Sequence, residues 1–369
     1  MKIALVVPGG VDRSGEYRVI PALLALIKRL SLNNEVHVYA LAQEVQPGSW
    51  QLAGARIHNI GMGHTRMRAV RAIYAQHRLS PFQLVHAIWS GSCGLVAVTA
   101  AGILRIASLI HIGGGELVAL PDIGYGGGIK LRGRIREALV LRTATTVTAA
   151  SLPIVESLTR LGIAARRLPL GVDLDSWPPR QPVRRQPCER ARLIHAASLN
   201  PVKDQQTLLR ALVSLAEAGL DFELDIVGED TLQGEIQTLA AQWGLSARVR
   251  FHGFLPQRRL RPLVEAAHLM IVSSRHEAGP LVLLEAAVAG VPTVGTAVGH
   301  IAEWAPQAAR AVAVGDWAAL ARAVTEMLAD EELRLSIARE AFQRAILENA
   351  DRTAAHFEAL YADAIASRI

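Results

Sequence analysis

Short apolar runs alternate with segments of helical periodicity along nearly the whole chain, and this alternation leaves few folds open. The candidate strands of the first half are Lys2–Val7, Glu35–Ala40, Arg56–Ile60, Leu84–Ile88, Ala107–Ile112, Thr145–Ala149 and Arg167–Leu170. Those of the second half are Arg192–Ala197, Glu223–Val227, Val249–His252, Leu269–Val272, Pro292–Gly295 and Ala311–Val314. Between them lie amphipathic stretches such as Val19–Leu30, where Ile20, Leu23, Leu24, Ile27 and Leu30 share one stripe. Trp317–Leu328 and Glu332–Ala366 also read as helices. Strands that are apolar on both faces and separated by helices predict parallel sheets covered on both sides.

A chain of 369 residues exceeds one ordinary core, so two domains are expected. The break falls at Trp177–Pro187, which holds four prolines and several charges without periodicity and reads as a linker. The expected division is residues 1–174, a linker over 175–191, a second domain over 192–345, and a final helix over 346–369 able to cross back to the first. The predicted fold class is α/β, two Rossmann-like domains facing each other across a cleft. In open parallel sheets, ligands bind outside the carboxyl ends of the strands.

Composition removes several function classes. Hydrophobic residues at 51% and charged residues at 20% exclude a disordered chain. Cys93 and Cys188 fit neither a metal-ligand pattern nor a disulfide framework, which favours a reducing compartment. The N-terminus reads as a buried strand rather than a secretory signal, and the apolar stretch Leu95–Ile112 is interrupted by Arg105. A cytoplasmic protein is expected, able to sit on a membrane surface. The net charge of +6 fits a phosphorylated substrate, anionic lipid or nucleic acid. Without a zinc finger, RNA-binding aromatics or a helix-turn-helix pattern, nucleic acid is not predicted.

The richest stretch is Ser273-Ser274-Arg275-His276-Glu277-Ala278-Gly279-Pro280-Leu281-Val282-Leu283-Leu284-Glu285-Ala286. It follows an apolar strand, and Pro280 suits a helix start because its missing N–H costs nothing there. The free N–H groups of Leu281 and Val282, with the helix dipole, then form a site for a diphosphate. Glu285 lies one turn past Leu281 on the same face, where a carboxylate can accept from the hydroxyls of a ribose. In the alternative reading, Glu277 caps the helix and Glu285 is solvated on its surface.

This stretch resembles the signature of glycosyltransferase family 4, two glutamates in a context like E-G-F-P-L-V-L-L-E-A. Other segments are similar to the family in the same order. They are Ala197–Asp204 with Thr207-Leu208-Leu209, Leu224–Glu229, Arg248–Leu255, Gly290–Val294 and Val298–Glu303. The first half is weaker, with Ser14-Gly15-Glu16 and Leu170-Gly171-Val172-Asp173. The resemblance implies a GT-B fold and a retaining hexosyltransferase-type enzyme that needs no metal and no cofactor, with a nucleotide diphosphate sugar as co-substrate. Glu277 would contact the donor sugar near its reacting carbon, Glu285 the ribose, and Lys203 the leaving diphosphate. Gly15 would let a loop approach the phosphates, and the backbone of Gly253, Phe254 and Leu255 would read the base. Breaking the anomeric bond builds negative charge on the diphosphate and positive charge on the sugar. Fixed amides, an ammonium and a carboxylate stabilise that pair of charges.

Two positions depart from the family pattern. Ser198 stands where an arginine is usual, leaving a phosphate charge to Arg275 or to more amides. Gly113 stands near the usual histidine, so His111 is the catalytic candidate there, with Glu116 a second one, and the alternative is a structural histidine. Asp173-Leu174-Asp175 has the D-x-D form of a metal site but lacks further oxygen ligands nearby, and a structural role is expected. The glycine-rich loop Gly113–Gly128 reads as long and mobile, either lining an acceptor site or lying free on the surface. Lys130–Arg142 is a basic amphipathic stretch, suited to a peripheral membrane contact or to solvent. The acceptor is left as a glycan, a lipid-linked compound or a small-molecule glycoside. The rival readings are a nucleotide-sugar isomerase or phosphorylase on this scaffold, and a non-catalytic nucleotide-sugar-binding protein.

Overall fold

The computed structural model describes residues 1–368. In chain order its elements begin β1 (Lys2–Val7), α1 (Pro21–Asn33), β2 (Glu35–Ala40), β3 (Gly48–Leu52), β4 (Ala55–Asn59), α2 (Thr65–Leu79), β5 (Leu84–Ile88) and α3 (Leu95–Leu104). They continue with β6 (Ala107–Ile112), α4 (Leu131–Thr143), β7 (Thr146–Ala149), α5 (Leu152–Arg160) and β8 (Arg166–Arg167). The second half holds β9 (Ala191–Ala196), α6 (Gln205–Glu217), β10 (Phe222–Val227), α7 (Glu235–Gln242), β11 (Val249–Phe251), α8 (Gln257–Ala266) and β12 (Leu269–Val272). It ends with α9 (Leu281–Val288), β13 (Thr293–Thr296), α10 (Gly299–Trp304), β14 (Arg310–Val312), α11 (Trp317–Ala329), α12 (Glu331–Leu347) and α13 (Ala350–Ala366). Two compact units result, residues 1–173 with the segment from 349 onward, and residues 174–348.

The first unit is built on a sheet of order β3-β4-β2-β1-β5-β6-β7-β8. All its pairings are parallel except β3 with β4. The second unit has the all-parallel order β11-β10-β9-β12-β13-β14. In the first sheet the chain order reverses between β1 and β5, and in the second between β9 and β12. Loops leaving a reversed pair at its carboxyl end diverge and leave a crevice, the usual ligand position in such sheets. Central strands are buried on both faces, as β1, β5 and β6 show along their whole length.

Strand β3 is absent from the sequence reading. It alternates strictly but spans only five residues and buries none of them fully, so it does not stand out as an apolar run. It pairs through a two-residue turn in which Ala53 (φ 51°) and Gly54 (φ 81°) both adopt positive φ, a geometry that suits a hairpin.

Helix α13 packs on the first unit. Its Phe357, Leu360, Tyr361 and Ala364 join a core with Ile3, Leu5, Leu84 and Leu109. The Tyr361 hydroxyl lies 2.7 Å from His86 Nδ1. The helix starts at Asn349, whose side chain accepts from the Arg352 amide at 2.9 Å. Arg29, almost fully buried, donates to Asp173 at 2.8 Å and to Asp351 at 2.6 Å, tying together the two segments where the chain leaves and re-enters this unit.

The proline-rich residues behave differently from a free linker. Trp177 is buried, the Arg180 amide donates to Val288 O at 2.8 Å, and Arg334 Nη2 donates to Val183 O at 2.6 Å. Gly290, at φ 77°, lets this segment pass, since an added Cβ would stand 2.8 Å from Arg180 O. The absence of periodicity comes from an extended strap packed on the second unit. It does not mean that the segment lacks contacts.

Candidate active site

In the second unit, the loops after β9 and β12 carry the two residues singled out for charge. Lys203 Nζ donates to Glu277 Oε1 at 2.5 Å, and Ser274 Oγ donates to the same oxygen at 2.6 Å. Backbone bonds hold the two loops together. The Arg275 amide donates to Val202 O at 2.7 Å, and Ser273 Oγ donates to Lys203 O at 2.8 Å. Asn200 Oδ1 accepts from the amides of Val202 and Lys203 at 3.1 and 3.2 Å, which shapes the turn bearing the lysine. The pair is only partly exposed, with Lys203 at 24% and Glu277 at 13% of side-chain surface. Ser198 leaves no guanidinium here, and Arg275 is the arginine adjoining the pair in the chain.

Helix α9 starts immediately past this loop, with Pro280 as its N-cap and no side-chain cap. The amides of Leu281 and Val282 belong to the first turn and have no partner within the helix. One turn on, about 5.4 Å along the axis, Glu285 is buried at 8% exposure. It is therefore not a solvated surface carboxylate. Burial pushes its carboxyl up to about 7, while Gln257 and Trp177 pull the other way. Gln257 Nε2 donates to Glu285 Oε1 at 2.8 Å. Gln257 opens α8 just after Gly253, Phe254 and Leu255, so that stretch is brought to the Glu285 side of the helix start. Gly253 has φ 65° and its carbonyl accepts from the Gly228 amide at 2.9 Å, while Phe254 is exposed.

In the first unit, a cavity of ≈ 850 Å³ lies at the carboxyl ends of the reversed strand pair β1 and β5. Pro8, Leu41, Arg66, Trp89, Cys93 and Glu116 are among its walls. Trp89 follows β5 at φ 69°, a conformation that costs a large side chain of the order of 1–3 kcal/mol. Glu116 accepts from the amides of Gly114 at 2.7 Å, Ser90 at 3.2 Å and Gly113 at 3.4 Å. Burial holds its carboxyl above the usual range against those three bonds. Gly15 lies in the exposed loop between β1 and α1 at φ 68°, where its amide donates to Asp12 O at 3.0 Å.

His111 occupies a core position. It has no exposed surface, its Nδ1 lies 3.0 Å from Thr148 Oγ1, and its ring meets Phe357 edge-on at 5.7 Å. Burial pushes it down to about 3, so the ring is neutral. An added Cβ at Gly113 would stand 3.3 Å from His111 Nε2, so the glycine closes over the ring. The expected catalytic contact of His111 is not offered by this arrangement, because β6 turns the side chain toward α13. Asp173 is committed to Arg29, which gives the D-x-D residues a structural partner.

The loop Gly113–Gly128 is also more ordered than its composition implies. The Gly127 amide donates to Gly115 O, Gly128 to Val118 O, and Leu120 to Tyr125 O, at 2.8–2.9 Å. Its glycines permit close backbone packing: a Cβ at Gly126 would stand 2.0 Å from Val118 O. Sequence reasoning also missed Trp177, Gln257 and Ser274 as neighbours of the two glutamates, and Trp89 and Arg66 as cavity walls. None of these sits in a spacing that sets it apart.

Residues 181–344 match the family model described as glycosyl transferases group 1. The chain is 28% identical over 177 residues to the D-inositol 3-phosphate glycosyltransferase of Corynebacterium glutamicum, covering 46% of this chain and 42% of that protein. It is 29% identical over 177 residues to the N-acetyl-alpha-D-glucosaminyl L-malate synthase of Bacillus anthracis, covering 47% and 45%. The chain thus spans roughly a third to a half of the length of the curated relatives it matches. Among solved structures, sucrose-phosphate synthase from Thermosynechococcus elongatus superposes with a TM-score of 0.80 at 18% identity, covering 100% of both chains. Anabaena HepE in complex with UDP-glucose superposes at 0.75 and 18%, also over 100% of both. The chain has the GT-B fold, and its second half is similar in sequence to group 1 glycosyl transferases.

Proposed function

We propose that this protein is a retaining, metal-independent glycosyltransferase of the hexosyltransferase type that takes its sugar from a nucleotide diphosphate donor. The observation that carries this reading is the Lys203–Glu277 ion pair at the uncapped start of α9, with Glu285 buried one turn on. The diphosphate is received by the amides of Leu281 and Val282, and Lys203 exchanges its bond to Glu277 for one to the leaving phosphate. Glu277, released from the ammonium, faces the positive charge that develops at the anomeric carbon. Glu285 accepts from the ribose, and Gly253–Leu255 contact the base. Gly15, in the loop after β1, presents backbone with no side chain to obstruct a bound anion. Fixed charges of this kind favour the transition state over the ground state.

The acceptor, a glycan, a lipid-linked compound or a small molecule, is held by the first unit. A peripheral membrane contact belongs to the same reading. Leu131, Ile135 and Leu139 recur one turn apart on α4 and are 63%, 60% and 52% exposed, beside Arg132, Arg134 and Arg142. No helix among the described residues is long and apolar enough to cross a membrane.

The decisive experiment incubates the protein with UDP-glucose and other nucleotide sugars, with and without an acceptor panel, and measures nucleoside diphosphate release and the anomeric configuration of the product. Acceptor-dependent release with a retained anomer is expected. Turnover of the donor that needs no acceptor would establish an isomerase, and turnover with phosphate alone a phosphorylase. Saturable donor binding with no cleavage across the panel would establish a binding protein.

A further inference from the structure

The cavity at the β1 and β5 ends does not stand alone. A second cavity of ≈ 710 Å³ is lined by Leu95, Ile129, Lys130, Arg132 and Gly133, and it shares Arg66 and Arg136 with the first. The shared guanidiniums make the two hollows neighbours along one concave surface.

The charges on this surface are not balanced by the protein. The side chains of Arg66, Lys130 and Arg132 make no hydrogen bond or ion pair among the described residues. Arg136 does have a partner, Glu137, at 3.2 Å. Glu137 is nearly fully buried and also accepts from Ser90 Oγ, so its charge is turned inward. Glu116, the carboxylate on the first cavity wall, is engaged by the amides of Ser90, Gly113 and Gly114. Helix α2 adds to the positive field. It starts at Thr65 with no side-chain cap, its first residues Thr65, Arg66 and Met67 line the first cavity, and Thr65–Leu79 contains no acid. Three unpaired cations around one hollow repel one another, and a multiply charged anion removes that repulsion. Leu41, Met67, Trp89, Leu95 and Ile129 supply an uncharged wall beside them.

We propose that these joined cavities bind an acceptor bearing a phosphate ester, its phosphate on Arg66, Lys130 and Arg132 and its hydroxyl-bearing part against Trp89 and Glu116. The inference rests on the reading that the first unit holds the acceptor. The same phosphate chemistry is offered by a soluble phosphorylated sugar and by a lipid headgroup, so the test has an arm for each.

Binding is measured without any donor, by the fluorescence of the protein's tryptophans and by vesicle sedimentation. The soluble probes are glucose 6-phosphate and glucose. The vesicles are phosphatidylcholine with and without phosphatidylinositol. The expected result is at least about ten-fold preference for glucose 6-phosphate over glucose, or for the vesicles whose phosphate carries net negative charge (phosphatidylinositol) over the zwitterionic ones, weakened by added salt. The double variant Arg66→Ala/Arg132→Ala should abolish that preference, Lys130→Glu, which leaves the same net charge on the three positions, should weaken it comparably, and Arg71→Ala, on α2 but outside both cavities, should leave it intact. All these side chains are exposed, and unchanged thermal melting confirms that the variants fold. A preference in the soluble pair assigns a free phosphorylated acceptor, and one in the vesicle pair assigns a headgroup. Absence of preference in both pairs overturns the proposal. So does vesicle binding that survives Arg66→Ala/Arg132→Ala and disappears in Leu131→Ser/Ile135→Ser. Because no donor is present, loss of this preference and failure of donor turnover are separate results.

Discussion

The two units hold their charges in opposite ways. In the second, the reactive-looking groups are satisfied internally: Lys203 by Glu277, Glu285 by Gln257, and His252 by Asp225 at 2.7 Å. In the first, Arg66, Lys130 and Arg132 stand around an open hollow without a side-chain partner among the described residues. A site closed on itself must break a bond to receive its ligand, so its residues act through exchange of partners. An open cationic hollow receives its ligand without rearranging and acts through affinity alone. Damage to the Lys203–Glu277 pair should therefore fall on turnover, and damage to the first unit's hollow on binding.

The largest effect tests whether the units are energetically separate. Phe357 is fully buried on α13, against His86 and His111. Phe357→Ala should cost roughly 3–5 kcal/mol. Hydrogen exchange should show that cost in β1, β5 and β6, with β9–β13 protected as before. Equal loss of protection in both sheets would mean that the contrast is drawn between parts of one cooperative body.

Next in size is Glu277→Ala. Removing one electrostatic partner of a developing charge typically costs about 10²–10³ in turnover. The variant also frees Lys203, so donor affinity should stay within a few-fold of the original. Steady-state kinetics with a separate donor titration read both quantities. A loss confined to donor affinity would move Glu277 from the reacting centre to the binding contacts.

What the sequence revealed follows the same division. Parallel strands buried on both faces are plain apolar runs, and β1, β2, β5, β6 and β12 lie where periodicity puts them. Lys203, Glu277 and Glu285 stand out in the sequence as candidates because they follow such strands or lie one turn into a helix. Side chains that arrive from elsewhere were not. Trp177 comes from a stretch whose prolines signal only irregularity, and Gln257 is one polar residue in an arginine-rich helix. The basic hollow combines α2 with α4 across α3, a juxtaposition that no local pattern encodes. His111 shows the converse failure, since a histidine at a strand end looks reactive until the helix covering it, some 240 residues later, is in place.

The smallest effect concerns Glu285 and pH. Its carboxyl titrates near 7 because burial disfavours the charge, and no charged side chain contributes to that shift. A folded value above the unfolded one means that the protonated group's contribution to stability is complete below about 4.5 and is lost as pH rises through about 7. The second unit without ligand should thus weaken over that window. Donor binding runs the opposite way, because ribose hydroxyls donate to the ionised form. Between pH 6 and pH 8 the ionised fraction rises from about one-tenth to about nine-tenths, so donor affinity should increase about ten-fold. Calorimetric titration of UDP-glucose across this range measures the slope, and Glu285→Gln should flatten it while stabilising the free protein at pH 8. A wild-type donor profile that is flat would remove the ribose from Glu285 and leave its burial as packing alone.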